Sequence, residues 1–371
     1  RGEVMPWPFY MPQSQPFVIE ENPVYQDRKK AIEAKREQKD DNGQPLYTLQ
    51  QLASESTELA LWAQSHRWVV DWKGKQDKDM CPSLRVLRGF ANEDWKTEQD
   101  LLHAGKTFSS EEQLELDGRM ANLVFCLGRV LWRYRESKSN CIPYLVENTV
   151  SSNGRAEGGS GKSTFVKMFA GSCCYILDID GKNIEPSRDL SFSLSRYVHR
   201  HHRVVHWEDV NQNFSIKSLY NYATGSFVTQ KKFVDPQEIK LSEGPGHVVS
   251  SNYPLSDMDD STMRRVCLGG FSHRFSGENI LKNKAARYIS DVMPDFNPVS
   301  LDRMSNRTRS QLIMICAIAV QFVMRFDEKV DAQKKYMEQR TLTQSLGESF
   351  LRFARVFFGQ EHVYGVPIDL D

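Results

Sequence analysis

The stretch Ala156-Glu157-Gly158-Gly159-Ser160-Gly161-Lys162-Ser163-Thr164 constrains this chain more than any other, because few backbones suit a glycine-rich turn that opens into a helix. Gly158, Gly159 and Gly161 let successive backbone N–H groups converge on one point with no Cβ in the way, which is the arrangement a polyphosphate needs once it sheds its water. The pattern reads as a P-loop for a nucleoside triphosphate: Ser160 and Thr164 belong to the cradle, Lys162 reaches the β- and γ-phosphates, and Ser163 offers its hydroxyl to Mg²⁺. Phe165 to Phe169 then continue as a helix whose N-terminus favours negative charge. Two features depart from the usual spacing. Ala156 stands where a glycine is usual, and Ser151 to Arg155 are polar where a strand is expected, so the strand is placed within Cys141 to Val150 and the loop is longer than normal. A glycine-rich surface turn followed by a lysine is the competing interpretation. Lys162→Ala is expected to abolish nucleotide binding and spare the fold, on the premise that the loop is exposed.

Length and composition bound the rest. A chain of 371 residues, 40% hydrophobic and 26% charged, is an ordinary globular protein of about two domains. Its formal net charge is zero, so any nucleic-acid contact has to come from local basic clusters. The seven cysteines form no C-x-x-C pair, which fits a reducing compartment such as the cytoplasm or nucleus. The most apolar run, Leu312 to Val320, falls far short of the roughly 20 residues a membrane helix needs, so no membrane partner is expected. With no initiator methionine and no signal pattern at Arg1, the sequence reads as a soluble fragment of a longer protein.

Along the chain, residues 1–20 alternate prolines with aromatics and predict an extended arm, laid on a neighbour or packed on its own domain. Residues 21–138 read as a mainly helical domain. A mixed-charge run at Asp27 to Asp41 gives a solvated helix face or linker, and helical spacing from Thr48 leads into Trp68-Val69-Val70 and Trp72. The clearest helix opens at a Ser109/Glu112 capping box and carries Met120, Leu123, Val124, Leu127, Val130 and Leu131 on one stripe. A boundary is placed near Lys138, followed by an α/β P-loop domain over 139–300 and a C-terminal helical segment over 301–371, with a buried core helix from Ser310 to Val330.

Within the P-loop domain, Cys174 to Ile179 predicts a buried strand and Ser191 to His199 a helix. Arg203 to Val210 is an apolar strand ending in two adjacent acids, the Walker B pattern: Asp209 is assigned to Mg²⁺ and Glu208 to the water that attacks the γ-phosphate. Gly246 to Asn252 forms another strand, with Asn252 at its end able to bond the γ-phosphate or the attacking water. Asp260 to Val266 sets Arg264 and Arg265 at the start of a further strand, where a guanidinium suits charge developing on a phosphoryl group. Ser226 to Leu241 predicts a hairpin turning at Asp235-Pro236, with Lys231, Lys232 and Phe233 as candidates for nucleic-acid contact or, for the lysines, for edge-strand protection. His199 to His202 lacks metal-site spacing and reads as a basic approach to the Walker B strand.

Taken in order, AEGGSGKST, VVHWEDV, TQKKF, VVSSN and STMRRV resemble the superfamily 3 helicases of DNA viruses and mobile elements, a family that includes polyomavirus large T antigen and the poxvirus primase-helicase. The resemblance covers about Cys141 to Phe275. It implies an AAA+ motor behind a helical collar, a hexameric ring with ATP between subunits, and tracking along single-stranded or forked DNA, alongside other replication proteins. On that resemblance Asn252 is a sensor, Arg264 or Arg265 a finger acting on the neighbouring subunit, and the hairpin lysines a grip on DNA. A motor that remodels protein or packages nucleic acid, or a ring scaffold that does not hydrolyse ATP, are the alternatives.

Overall fold

The computed structural model describes residues 16–40, 42–73, 80–132, 134, 136, 140–148, 159–182, 184, 190–197, 201–255, 258–275, 288–294, 304–326, 328–332, 342, 346, 350 and 354. Residues 1–15 of the expected arm, Gly158, and most of 333–371 therefore lie outside the described residues. Where the arm ends, Phe17 is fully buried and β1 (Val18–Glu21) pairs antiparallel with β2 (Trp68–Asp71), so this part packs on its own chain. Alternating burial along Trp68-Val69-Val70-Asp71 explains why these residues leave the helical pattern before them and form a strand.

Helices α1 (Pro23–Glu37) and α2 (Leu49–His66) lie between those strands, the second opened by a Thr48/Gln51 capping box. After α3 (Pro82–Ala91) and α4 (Trp95–His103), the long α5 (Ser110–Leu131) begins at the Ser109/Glu112 box, as its sequence requires.

A five-stranded parallel sheet follows, in the order β4-β5-β8-β3-β9. Its strands are β3 (Ile142–Glu147), β4 (Tyr175–Asp180), β5 (His202–Val210), β8 (Gly246–Ser251) and β9 (Val266–Phe271). β6 (Phe227–Thr229) and β7 (Gln237–Ile239) form a separate antiparallel hairpin between β5 and β8. Successive strand residues point to opposite faces, and both faces are covered. Leu145, Val204, Val248 and Cys267 join α5 and the helix Asn306–Arg325 on one side, while Tyr144, Val205, Trp207 and Val249 build a second apolar cluster on the other. The expected α/β class is thus present. Helix Asn306–Arg325 lies so close to α5 that a Cβ on Gly128 would sit 2.2 Å from the Ala319 carbonyl oxygen. The first cluster runs from Phe17 through α5 to Phe322, crossing the position near Lys138 where a boundary was expected.

Two local expectations change. Arg264 and Arg265 close a short helix, Asp260–Arg265, that Asp259 caps by accepting the Thr262 N–H, and β9 begins only at Val266. The helix expected from Ser191 is a single turn, Leu190–Ser193, tightening through Leu194–Arg196. No helix among the described residues is long and apolar enough to cross a membrane.

Asp117 of α5 anchors β2 by accepting the Val70 N–H at 2.9 Å and the Gln113 amide at 2.7 Å. Burial nonetheless pushes its carboxyl up to about 6, above the unfolded value of about 3.9. The native state then holds a proton the unfolded chain has released, so stability falls as pH rises from about 4 to about 6, by up to about 3 kcal/mol. Asp117→Asn should lose that slope in denaturation midpoints measured across this window; an unchanged slope assigns it to other groups.

Candidate functional site

The chemistry-bearing residues gather at the carboxyl ends of the parallel strands, where open α/β sheets bind ligands. β3 leads toward the P-loop, whose last residues set its course: Gly159 has φ +96° and Gly161 φ +92°, the left-handed region that glycine enters freely. A Cβ on Gly161 would also meet the Phe90 ring at 2.5 Å, so this turn tolerates no side chain. The helix it opens runs as Lys162–Phe165, widens over Val166–Ala170, and closes with Gly171–Cys173. Wide turns of this kind recur at functional sites.

Lys162 is buried, not exposed as the sequence suggested. Its Nζ donates to Glu147 Oε1 at 2.6 Å, Asn252 Oδ1 at 2.9 Å and Ser160 Oγ at 3.2 Å. The end of β3, the residue after β8 and the loop itself therefore meet on one ammonium. Sequence reading missed Glu147 because it lies on the strand before the loop, and only the fold brings it back to the lysine.

The positions of Glu208 and Asp209 are set by an irregularity in β5. Neighbouring residues on a regular strand face opposite ways, yet both Glu208 and Asp209 line one cavity of about 570 Å³. The register between β5 and β8 shifts between Trp207 and Val210, and Asp209 takes φ +54°, a bulge that turns both carboxylates inward. Each is paired: Lys167 Nζ lies 2.9 and 3.0 Å from the Glu208 oxygens, and Lys182 Nζ lies 2.9 Å from Asp209 Oδ2. Asn252 Nδ2 donates to Asp209 Oδ1 at 2.8 Å, while its amide oxygen accepts from Lys162. Asp209 in turn holds the Lys182 ammonium above its ordinary value, chiefly through their hydrogen bond.

Ser163 and Thr164 line the same cavity, as do Asp178, Asp180 and Arg196, which sequence reasoning did not single out. Asp178 lies beside His206 in the β4–β5 register. His206 Nδ1 is 2.8 Å from Asp178 Oδ1 and its Nε2 is 3.0 Å from Ser250 Oγ. Burial pushes the Asp178 carboxyl up, but its hydrogen bond with His206, with Lys167 and Arg196 nearby, holds it below its ordinary value. Acid and polar residues at successive strand ends were the available signal; which of them pair is a matter of strand order.

The remaining candidates lie apart. Among the described residues lining this cavity, neither Arg264 nor Arg265 is present. Arg265 donates to Ser261 and packs over the Tyr220 ring at 4.8 Å, whereas Arg264 is exposed. Lys231, Lys232 and Phe233 are exposed in the loop joining β6 to β7, which begins earlier than the Asp235-Pro236 turn expected.

No protein-family model matches the chain, and no curated protein matches it. Among solved structures it is similar to the apo A form of the NrS-1 C-terminal region, at 13% identity over 78% of this chain, with a TM-score of 0.37. That match spans 59% of the NrS-1 region's own length. It is also similar to JCV helicase bound to a thiazolopyridine acetamide, at 14% identity over 80% of this chain and 79% of that one, with a TM-score of 0.27. JCV helicase in a further structure gives 16% identity over 87% and 80%, with a TM-score of 0.24. Values this low carry no argument about activity, which has to stand on the site's own geometry.

Burial of Lys162 reverses one expectation. Lys162→Ala strands the Glu147 carboxylate at the end of β3, where side-chain exposure is 1%, and breaking such a pair costs about 3–5 kcal/mol. Unfolding of Lys162→Ala should show that loss, and Lys162→Met combined with Glu147→Gln should recover most of it. A single variant as stable as the parent removes the pair from the fold's supports.

Proposed function

We propose that this chain is an ATP hydrolase that drives separation of DNA strands, a ring-forming motor of the superfamily 3 helicase type. The observation that supports it most is the convergence of Lys162, Glu208, Asp209 and Asn252 on one cavity at the strand ends. A cation, two carboxylates and a polar amide around one cavity are the residue types that phosphoryl transfer to water uses.

The residues present fit the implied ligands. Gly159 and Gly161 leave backbone N–H groups unobstructed for phosphate oxygens, and Ser163 and Asp209 offer the hard oxygen donors that Mg²⁺ takes. Bound there, the cation would neutralise charge developing on the phosphates. Lys162 places a buried positive charge where those oxygens arrive. Glu208 orients and deprotonates the attacking water, and Asn252, bonded to both Lys162 and Asp209, links the ends of the site. Arg264, exposed at the end of its helix, is the better placed of the two arginines to reach a neighbouring subunit.

The β6–β7 loop is the proposed grip on single-stranded DNA, its lysines meeting the backbone and Phe233 stacking on a base. Several copies around a ring would concentrate positive charge that the neutral chain as a whole lacks.

Turnover of ATP should therefore be measurable and should rise with single-stranded DNA. Lys231→Ala/Lys232→Ala should keep its basal rate and oligomer but lose the stimulation and unwinding; unchanged DNA affinity moves the grip elsewhere. Arg264→Ala should bind ATP yet hydrolyse it about 10³-fold more slowly or worse. Mixing it with Glu208→Gln subunits should restore some turnover, and a stronger loss in Arg265→Ala would reverse the choice between the arginines.

A further inference from the structure

We propose that His206 is a positioning residue for the two Walker B carboxylates, the centre of a one-way hydrogen-bond chain running from Asp178 through His206 and Ser250 to the backbone of Asp209. This rests on the nucleotide-site reading for its consequence, though not for its geometry.

The chain crosses three adjacent strands. Asp178 is on β4, His206 on β5 and Ser250 on β8, and the parallel register sets Asp178 directly beside His206. His206 is fully buried, with Nδ1 2.8 Å from Asp178 Oδ1 and Nε2 3.0 Å from Ser250 Oγ. Ser250 Oγ in turn lies 3.2 Å from the Asp209 backbone nitrogen. The directions follow from what each group offers. An ionised carboxylate only accepts, so Nδ1 carries the proton and donates to Asp178. In the neutral ring Nε2 is then left with its lone pair and accepts the Ser250 hydroxyl proton. The serine oxygen is then free to accept the Asp209 N–H. The opposite tautomer would set the Nδ1 lone pair against the carboxylate, two acceptors face to face.

The last bond in the chain is the one with a consequence. Asp209 is the residue at φ +54°, and the bulge it makes is what turns Glu208 and Asp209 toward the same cavity. A side chain in that conformation needs surrounding contacts to hold it. Ser250 supplies one from the neighbouring strand, and His206 fixes the hydroxyl so that its lone pair, not its proton, faces the Asp209 N–H. His206 lies behind the cavity wall that Asp178 and Ser250 help to form, and its part in this scheme is to set the aim of Glu208 and Asp209. Outer partners of metal and catalytic carboxylates are commonly worth about 10- to 100-fold in affinity or activity.

Two measurements test this. The first uses nucleotide-free and metal-free protein labelled with ¹⁵N-histidine, the His206 signals being assigned by their loss in whichever of His206→Asn and His206→Gln folds. The neutral Nδ1–H form is expected; an Nε2–H form, or a ring protonated on both nitrogens at neutral pH, overturns the chain. The second measures steady-state turnover. Ser250→Ala and His206→Asn both break the link to Asp209, and both should lower kcat by about 10- to 100-fold with KM for ATP changed little. His206→Gln, whose amide reaches the Nε2 position, should lose less than His206→Asn. Equal losses in the two, or a change confined to KM, would count against positioning. Where wild-type protein shows no turnover the nucleotide-site reading fails, and the tautomer still decides the hydrogen-bond chain. It decides as well if a variant does not fold.

Discussion

The buried pair between Lys162 and Glu147 is the interaction on which the rest of the site depends. Taking both charges out of water costs several kcal/mol for each, and their attraction offsets this only with short distances and further hydrogen bonds. Both are present: 2.6 Å between the pair, with Asn252 and Ser160 on the same ammonium. The partners belong to the end of β3, the end of β8 and the loop returning from β3, so the lysine is satisfied only once these two strands lie side by side. The sheet order β4-β5-β8-β3-β9 is therefore a condition of the chemistry as well as of the core.

Three departures from regular backbone accompany this pair. Gly161 adopts φ +92° against a phenylalanine ring, the following helix widens over Val166–Ala170, and Asp209 adopts φ +54° in a bulge. The wide turn carries Lys167, which pairs with Glu208, and the bulge carries both acids to one cavity. Strained conformations of this kind persist where the surroundings over-determine them. Here the over-determination is visible, since Asp209 is held by Asn252, Lys182 and Ser250 together.

What the sequence made legible was local. The Ser109/Glu112 box opens α5 where its spacing says, and the strand ending in Glu208-Asp209 and the one before Asn252 stand within a residue of their expected places. Such features depend on neighbours three or four positions away, or on a period of two. Glu147, Asp178, His206 and Ser250 were not legible as a site, because each acquires its role from strand order and register. The same limit applies to the core. The stripe on α5 was plain, but that its partner is the helix Asn306–Arg325, across nearly two hundred residues, depends on a close approach at Gly128 that no local pattern announces. Lys162 was misjudged for a related reason: glycine-rich loops are usually exposed, and nothing near it in sequence shows the carboxylate that buries it.

The β6–β7 hairpin raises a different question, because two explanations compete for the same residues. Exposed lysines on a short strand pair protect an edge from unwanted pairing, and Lys231 and Lys232 fit that role well. Phe233 does not. It is fully exposed at φ +61°, a conformation in which glycine or asparagine would be at less cost, and it contributes none of the roughly 2 kcal/mol that burying such a ring gives. The pair of strands is only three residues long on each side, marginal by itself, and it is fastened to the domain by buried Thr229 and Ile239 and by the Gln230 N–H to the Ser191 carbonyl. A loop fastened at its base, with an exposed aromatic at positive φ beside two exposed cations at its tip, fits the grip on single-stranded nucleic acid proposed above. In a chain of zero net charge, that is the reason for placing the grip on this loop and not on the surface as a whole.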